Sequence, residues 1–138
     1  MSASRIGLDP EFAKKLNVFE ARLAEQGIKV ILTWGYRSIA SQNQLYAKGR
    51  TAPGSIVTNA YGGYSWHNYG LAADYAFVID GKVTWNGPWD KFGKTARDFG
   101  LEWGGDWKKF TDRPHVQCTR GKTLAQMRAA VSAKVARK

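Results

Sequence analysis

Apolar residues near the start of the chain recur with the spacing of a single helical face. They follow one another at intervals of four, three and four residues: Phe12, Leu16, Phe19 and Leu23. Such spacing is typical of the buried side of an α-helix. Asp9 is a good cap for free backbone N–H groups, and Pro10 fits the first helical turn. Gly27 is a typical helix terminator, so we predict a first helix between Pro10 and Gly27.

Further along, short apolar runs alternate with helical patterns. We predict strands at 29–33, 71–79, 83–85, 101–103 and 115–118, and further helices at 38–48, 88–99 and 123–136. Asp80-Gly81-Lys82 is a turn signal, which favours a hairpin between the second and third strands. Residues 50–66 are rich in glycine and form a long loop, a feature that is usually functional or mobile. Mixed helices and short strands predict a single α+β domain.

Composition limits the class of protein and draws attention to the rarest residues. With 138 residues, one cysteine and two histidines, the chain fits one domain of about 150 residues and cannot form an internal disulfide. No apolar run approaches the ~18 residues of a membrane-spanning helix. The first residues lack the apolar stretch of a secretory signal. We therefore expect a protein without a signal peptide.

The charge is strongly positive and unevenly distributed. The formal net charge is +10, which predicts attraction to a polyanion: nucleic acid, anionic lipid or the acidic polymers of a bacterial envelope. No acidic residue follows Asp112, whereas seven basic residues do: Arg113, Arg120, Lys122, Arg128, Lys134, Arg137 and Lys138.

Both histidines lie near a carboxylate in a pattern that could hold a metal. A catalytic zinc takes three His or carboxylate ligands and leaves one position open, and His67, Asp74 and His115 have that composition. Positions seven apart on one helix would lie about 10 Å apart. However, Gly70 and the strand pattern after it place His67 at the end of a loop and Asp74 on a strand. His115 would then reach the same site from a second strand.

The residue pattern alone leaves another interpretation open. A histidine in a globular domain is more often structural or exposed than a metal ligand. Asp74 argues against that reading, because an unpaired carboxylate in an apolar strand is costly to bury. Either a metal or an arginine could partner it.

Two segments resemble a known family. SWHNYGLAAD at 65–74 is similar to the S-x-H-x-x-G-x-A-x-D signature of the M15 (VanY-like, LAS-type) zinc peptidases. EWGGDWKKFTDRPHVQ at 102–117 resembles the second half of that signature in the L-alanyl-D-glutamate endopeptidase branch. The resemblance covers most of residues 30–118. It implies a LAS/Hedgehog-like α+β fold over residues 1–138, with a small antiparallel sheet carrying the zinc site, flanking helices and a basic C-terminal helix at about 123–136.

The resemblance also implies roles for individual residues. One zinc ion would be held by His67, Asp74 and His115. Asp112, three residues before the last ligand, falls where the family places its catalytic carboxylate. The carboxypeptidase branch usually has Glu there, so Asp112 favours the endopeptidase branch.

Arg37 and Ser65 complete the set that the resemblance implies. Arg37, in GYRS, would stabilise charge on the substrate or on the tetrahedral intermediate, and Ser65 would contact the substrate. Without the resemblance, Arg37 would be an ordinary surface cation and Asp112 a turn residue. Glu102 and Asp106 are alternative bases, or they orient a histidine ligand or brace the Gly-Gly turn.

The implied function is zinc-dependent hydrolysis of the L-Ala–D-Glu bond in the stem peptide of peptidoglycan, as in phage endolysins. Such a protein would be a monomer held in the host cytoplasm until a holin opens the membrane, and it would act at the cell wall. Its basic C-terminal helix would contact anionic envelope polymers, and no stable nucleic-acid partner is expected. The alternatives are a D-Ala-D-Ala carboxypeptidase or dipeptidase, and a non-catalytic module that binds envelope or nucleic acid.

Overall fold

The computed structural model describes residues 3–136, in which helices and the strands of a small sheet alternate along the chain. The α-helices of this described part are α1 (Pro10–Glu25), α2 (Ile39–Ala47), α3 (Trp89–Asp98) and α4 (Leu124–Ala136). Two short 3-10 helices lie at Trp66–Tyr69 and Gly104–Asp106. Within residues 3–136 none of the helices combines the length and the apolar character that a membrane crossing needs.

One antiparallel sheet connects these helices. Its strands are β1 (Val30–Trp34), β2 (Ala72–Ile79), β3 (Lys82–Thr84), β4 (Glu102–Trp103) and β5 (His115–Gln117). The longest strand, β2, is central: β1 pairs with one of its edges, and β5 and β3 pair with the two halves of the other edge. β4 extends the sheet beyond β5. The predicted α+β class with a small antiparallel sheet is therefore confirmed.

Local chemistry explains why these elements begin and end where they do. The Asp9 carboxylate accepts a hydrogen bond from the backbone N–H of Phe12 at 3.0 Å, which caps α1. Between β2 and β3 the turn consists of Asp80 and Gly81, with φ of 53° and 75°. Two central residues with positive φ define the type I′ turn, whose twist suits a hairpin. Both predictions are confirmed.

The hydrophobic core lies between one face of the sheet and helices α1 and α3. Phe92 of α3 sits at its centre, with ring centroids 5.2 Å from Phe19, 5.9 Å from Tyr75 and 5.2 Å from Trp89. Tyr75 points toward these helices, so Asp74, the next residue along the strand, points to the other face. The sheet thus separates the core from the face that carries the polar residues.

We expect Phe92→Ala to destabilise the fold by about 3–5 kcal/mol, because removing a fully buried ring leaves a cavity among other aromatic rings. Denaturant unfolding followed by circular dichroism measures the change. Val83→Ala, at a side chain that is 54% exposed, is the matched control and should change the free energy of unfolding by less than about 0.5 kcal/mol. Equal effects of the two substitutions would contradict this location of the core.

Helix α4 docks mainly through its first turns. Among the apolar residues of this helix, Met127 packs against the core, whereas Val131 is 40% exposed. The guanidinium carbon of Arg128 lies 3.8 Å from the centroid of the Tyr64 ring, which ties the helix to the loop before the 3-10 helix. Arg137, Lys138 and the side chains of Lys134 and Val135 lie outside the described residues.

Candidate active site

His67 lies in a short 3-10 helix, Trp66–Tyr69. The sequence had predicted that it lies at the end of a loop. The Ser65 hydroxyl caps this helix by accepting from the backbone N–H of His67 at 3.3 Å. Gly70 ends it with a φ of 71°, and a side chain there would collide with the backbone carbonyl of Gly7. Helical periodicity could not reveal a segment of four residues, which explains the difference.

Asp74 and His115 face each other across two neighbouring strands. They are direct partners in the β2–β5 register, and Asp74 Oδ1 lies 3.0 Å from His115 Nδ1. The other carboxylate oxygen, Oδ2, lies 3.4 Å from His67 Nε2. On this face of β2 the neighbours of Asp74 are alanines, Ala72 and Ala76, which leave space around the carboxylate. The three predicted ligands are thus brought together.

The donor atoms of this triad fit a metal ion. One ligand atom from each of His67, Asp74 and His115 lies within 4.8 Å of the other two. The remaining ring nitrogens are already hydrogen-bonded: His67 Nδ1 lies 2.8 Å from the carbonyl oxygen of Gly35, and His115 Nε2 lies 2.7 Å from Oε1 of Gln117. Because both partners are acceptors, each ring nitrogen facing them carries the proton. His67 Nε2 and His115 Nδ1 therefore face Asp74. A proton on either nitrogen is donated to the carboxylate, and without that proton the lone pair of the nitrogen can bind a metal.

Charge in the site reinforces this arrangement. Burial alone would raise the pKa of Asp74, but hydrogen bonds from His115 and His67 outweigh it and hold that pKa well below its usual range. Burial likewise opposes protonation of His115, yet the hydrogen bond and charge of Asp74 raise its pKa overall. At neutral pH Asp74 is therefore ionised, which is the form that a cation binds.

Asp112 lies at the edge of the triad. Its Oδ2 atom is 3.9 Å from His115 Nδ1, and its side chain is 47% exposed. Burial and the neighbouring charge of Asp74 raise its pKa. The segment that carries Asp112 is held close by a hydrogen bond from its backbone N–H to the carbonyl oxygen of Gly104 at 2.9 Å. A Cβ at position 104 would overlap the carbonyl oxygen of Asp112, so only glycine permits this approach.

Arg37 is buried at the site rather than exposed on the surface. Its Nη1 donates to Oε1 of Gln42 at 2.9 Å, and Gln42, which is fully buried, donates in turn to the carbonyl oxygen of Ala60 at 2.6 Å. The guanidinium also stacks on Trp34, with its carbon 4.3 Å from the ring centroid. Among the described residues its Nε has no hydrogen-bond partner. Burial lowers the pKa of Arg37, an effect that Asp74 opposes.

The remaining residues singled out by the sequence are accounted for. Ser65 lines the cavity, but its hydroxyl also caps the 3-10 helix. Glu102 accepts from the backbone N–H of Thr119 at 3.2 Å, and Asp106 pairs with Arg97 at 3.0 Å. Neither acid lines the cavity at the triad. They brace the surrounding segments and do not contact the histidines.

These side chains surround an open cavity of about 460 Å³. Its lining combines the triad, Asp112 and Arg37 with aromatic rings from three segments of the chain: Trp34, Tyr64 with Trp66, and Trp107. Such a cleft suits an extended, partly polar substrate better than a small apolar ligand.

Three supporting residues were not predicted from the sequence. Gln117 and Gln42 hold His115 and Arg37, as described above. Asn68 donates from Nδ2 to the carbonyl oxygen of Arg37 at 2.8 Å and accepts at Oδ1 from the backbone of Ser65. The only available signal was the strand period, which places Gln117 on the same face as His115.

Comparisons with known proteins agree with this geometry. A family model described as D-alanyl-D-alanine carboxypeptidase, of the group Peptidase_M15_4, matches residues 58–118. The chain is 43% identical over 121 residues to the peptidoglycan L-alanyl-D-glutamate endopeptidase CwlK of Bacillus subtilis, covering 80% of this chain and 72% of CwlK. The chain belongs to the M15 family of peptidases.

Two further proteins that the chain resembles are peptidases of the L-Ala–D-Glu bond. The chain is 30% identical over 95 residues to the L-alanyl-D-glutamate peptidase of Listeria phage A118, covering 66% of this chain but only 31% of the phage protein. The crystal structure of the Serratia marcescens L-Ala D-Glu endopeptidase ChiX superimposes with a TM-score of 0.56 at 26% identity, covering 84% of each chain. M15 peptidases depend on zinc, and the triad described above is placed to bind one metal ion.

We expect Gln117→Leu to weaken zinc binding by about 10–100-fold, because the His115 ring loses the acceptor that fixes its proton on Nε2. Competition with a chromogenic chelator measures the affinity. Gln126→Leu, on the exposed surface of α4, is the matched control. An unchanged affinity in Gln117→Leu would mean that this hydrogen bond does not orient the ligand.

Proposed function

We propose that the protein is a zinc-dependent peptidoglycan endopeptidase that hydrolyses the L-Ala–D-Glu bond of the stem peptide. The observation that carries this proposal is the His67–Asp74–His115 triad at the base of an open cleft, with Asp112 and Arg37 beside it. The 43% identity to an L-alanyl-D-glutamate endopeptidase supports this bond as the one that is cut. The match to a phage peptidase supports a role as an endolysin in host lysis.

In this proposal His67 Nε2, an Asp74 oxygen and His115 Nδ1 would hold the metal. A bound zinc ion supplies Lewis acidity, which lowers the pKa of a water to about 7 and polarises a carbonyl group. Gly35 and Gln117 keep the two imidazoles in the tautomers that this requires. Asp74, flanked by both rings, would supply one negative charge toward the two positive charges of the ion.

Asp112 and Arg37 divide the remaining chemistry. Asp112 Oδ2 accepts the proton of the attacking water and passes it to the nitrogen of the leaving amine, which is general acid–base catalysis. Arg37 binds the oxygen on which negative charge develops, since its guanidinium offers donors in a fixed plane. Gln42 and Trp34 hold that guanidinium in place, so it costs little to orient it during the reaction.

The test uses the zinc-loaded protein and purified peptidoglycan sacculi. We expect solubilisation of the wall with new amino termini on glutamate, detected by amine labelling and mass spectrometry, and complete inhibition by a chelator. The proposal would be contradicted if the zinc-loaded protein did not digest the sacculi. It would also be contradicted if the digestion exposed no amino terminus on glutamate.

A D-Ala-D-Ala carboxypeptidase is the second candidate, because the matching family model carries that description. The same digestion distinguishes the two activities, since a carboxypeptidase releases free D-alanine and leaves the wall insoluble. Membership of a peptidase family argues against the third interpretation, a non-catalytic binding module.

We further propose that the protein acts as a monomer at the cell wall, after holin-mediated release from the host cytoplasm, and that its C-terminal cations contact anionic envelope polymers. Lys122 is exposed and available for this. Arg120 pairs with Asp9 and Arg128 stacks on Tyr64, so these two cations already make contacts within the fold.

If the C-terminal cations bind envelope polymers, removing residues 134–138 should weaken binding to sacculi while sparing hydrolysis of a soluble stem peptide. Unchanged binding to sacculi would count against such a contact.

A further inference from the structure

A second groove adjoins the catalytic cleft and shares one of its walls. It has a volume of about 650 Å³ and is lined by Trp85, Trp89, Thr111, Asp112, Arg113 and Pro114. Asp112 also lines the cavity at the triad. An extended polymer bound across the triad can therefore continue past Asp112 into this groove without leaving the surface.

Hydrogen bonds hold the backbone of the lining residues on both sides of the groove. The carbonyl oxygen of Arg113 accepts from the Trp103 indole at 2.7 Å, and that of Pro114 accepts from the backbone N–H of Tyr75 at 3.0 Å. Across the groove, the carbonyl oxygen of Trp85 accepts from the Trp89 indole at 2.8 Å. Side chains on both walls thus project from fixed backbone.

Two side chains in this groove have no evident role in the fold. Trp85 is 55% exposed. Arg113 is exposed, and within residues 3–136 its guanidinium makes neither a hydrogen bond nor an ion pair. Arg113 also lines a smaller depression together with Asp90 and Lys91. The groove therefore combines the exposed Arg113 guanidinium and the Asp112 carboxylate with two tryptophan rings.

The positive charge of Arg113 indicates which side of the scissile bond binds in this groove, an inference that rests on the function proposed above. In the stem peptide the L-Ala nitrogen is joined to the sugar through an amide, so the acyl side of the scissile bond carries no free carboxylate. On the amine side, D-Glu continues the chain through its side-chain carboxyl group and keeps its α-carboxylate free. An unpaired guanidinium next to the cleft matches that carboxylate.

We propose that this groove is the binding subsite for the amine side of the stem peptide, and that Arg113 pairs with the free α-carboxylate of its D-Glu residue. Arg113 is then a specificity-determining residue that favours D-Glu over D-isoglutamine, in which the same carboxylate is an amide. Trp85 packs along the chain that follows.

The test compares two soluble substrates, N-acetyl-L-Ala-γ-D-Glu-L-Lys and its D-isoglutamine counterpart, with the zinc-loaded full chain. We expect kcat/KM to favour the carboxylate by roughly tenfold or more, the size of one charge-assisted hydrogen bond. Arg113→Gln should remove that preference and bring the two substrates to the same kcat/KM. Lys91→Gln is the matched control: it removes one positive charge nearby but outside the groove, and it should keep the preference.

The remaining outcomes are also decisive. If the parent protein does not discriminate between the substrates, or if Arg113→Gln keeps the preference, the subsite assignment is wrong. A decrease of equal size for both substrates in Arg113→Gln would assign Arg113 a purely structural role and overturn the proposal as well. Failure of the parent to cut either peptide or sacculi would instead refute the endopeptidase function itself, and the subsite with it.

Discussion

Replacing His115 with alanine is expected to abolish stoichiometric zinc binding and to reduce peptidoglycan hydrolysis by at least about a thousandfold. Loss of a hydrogen-bond partner behind a ligand typically costs 10–100-fold in metal affinity or activity. Loss of the ligand itself removes one of the three metal-binding side chains found among residues 3–136. Metal analysis after gel filtration, together with the rate of wall solubilisation, measures both effects.

The control for His115→Ala is the parent protein from which zinc has been removed by a chelator. His115 is buried and hydrogen-bonded to Asp74 and Gln117, so its removal also perturbs the sheet. If His115→Ala unfolds at a denaturant concentration close to that of the chelated parent, the loss of zinc is a loss of coordination. Retention of one equivalent of zinc by the folded variant would contradict the ligand assignment.

Asp112→Asn is expected to lower kcat by about 10²–10⁴-fold, the usual contribution of general acid–base catalysis, while zinc stays bound. Asparagine keeps the shape of the side chain but cannot take a proton from water. Because Asp112 is half-exposed and lies outside the triad, the metal content and the stability should barely change. The rate of hydrolysis of a soluble stem peptide measures the effect.

Asp106→Asn is the matched control for that substitution. Asp106 is an acid of the same segment, but its carboxylate pairs with Arg97 on the surface and does not line the cleft. We expect it to keep nearly full activity. A similar loss of rate in both variants would remove Asp112 from the proposed mechanism, and a loss confined to Asp106→Asn would make Asp106 the base.

Much of the fold and the composition of the site could be predicted from the sequence, because both depend on local patterns. The apolar face of α1 and the Asp80–Gly81 turn follow from periodicity and turn chemistry, and the structure has them where they were expected. His67, Asp74 and His115 fall within a spaced motif, and the structure brings them together.

What the sequence did not reveal depends on contacts between distant segments. Gln42 is the one fully buried side chain of α2, and a buried glutamine looks like a surface residue in a hydrophobicity pattern. Its role becomes visible only when Arg37 and Ala60 are seen on either side of it. Likewise, the docking of α4 through Arg128 and Tyr64 joins residues 64 positions apart in the chain, which no periodicity links.

The register of the central strand makes assembly of the site an all-or-none event. Asp74 is paired with Trp34 on one edge and with His115 on the other. Slippage by a single residue would turn Asp74 toward the aromatic core and bring Ala73 or Tyr75 to the face of the histidines. A misaligned molecule therefore has no partial site. In a purified sample, the ratio of bound zinc to protein counts the molecules whose strands have paired correctly.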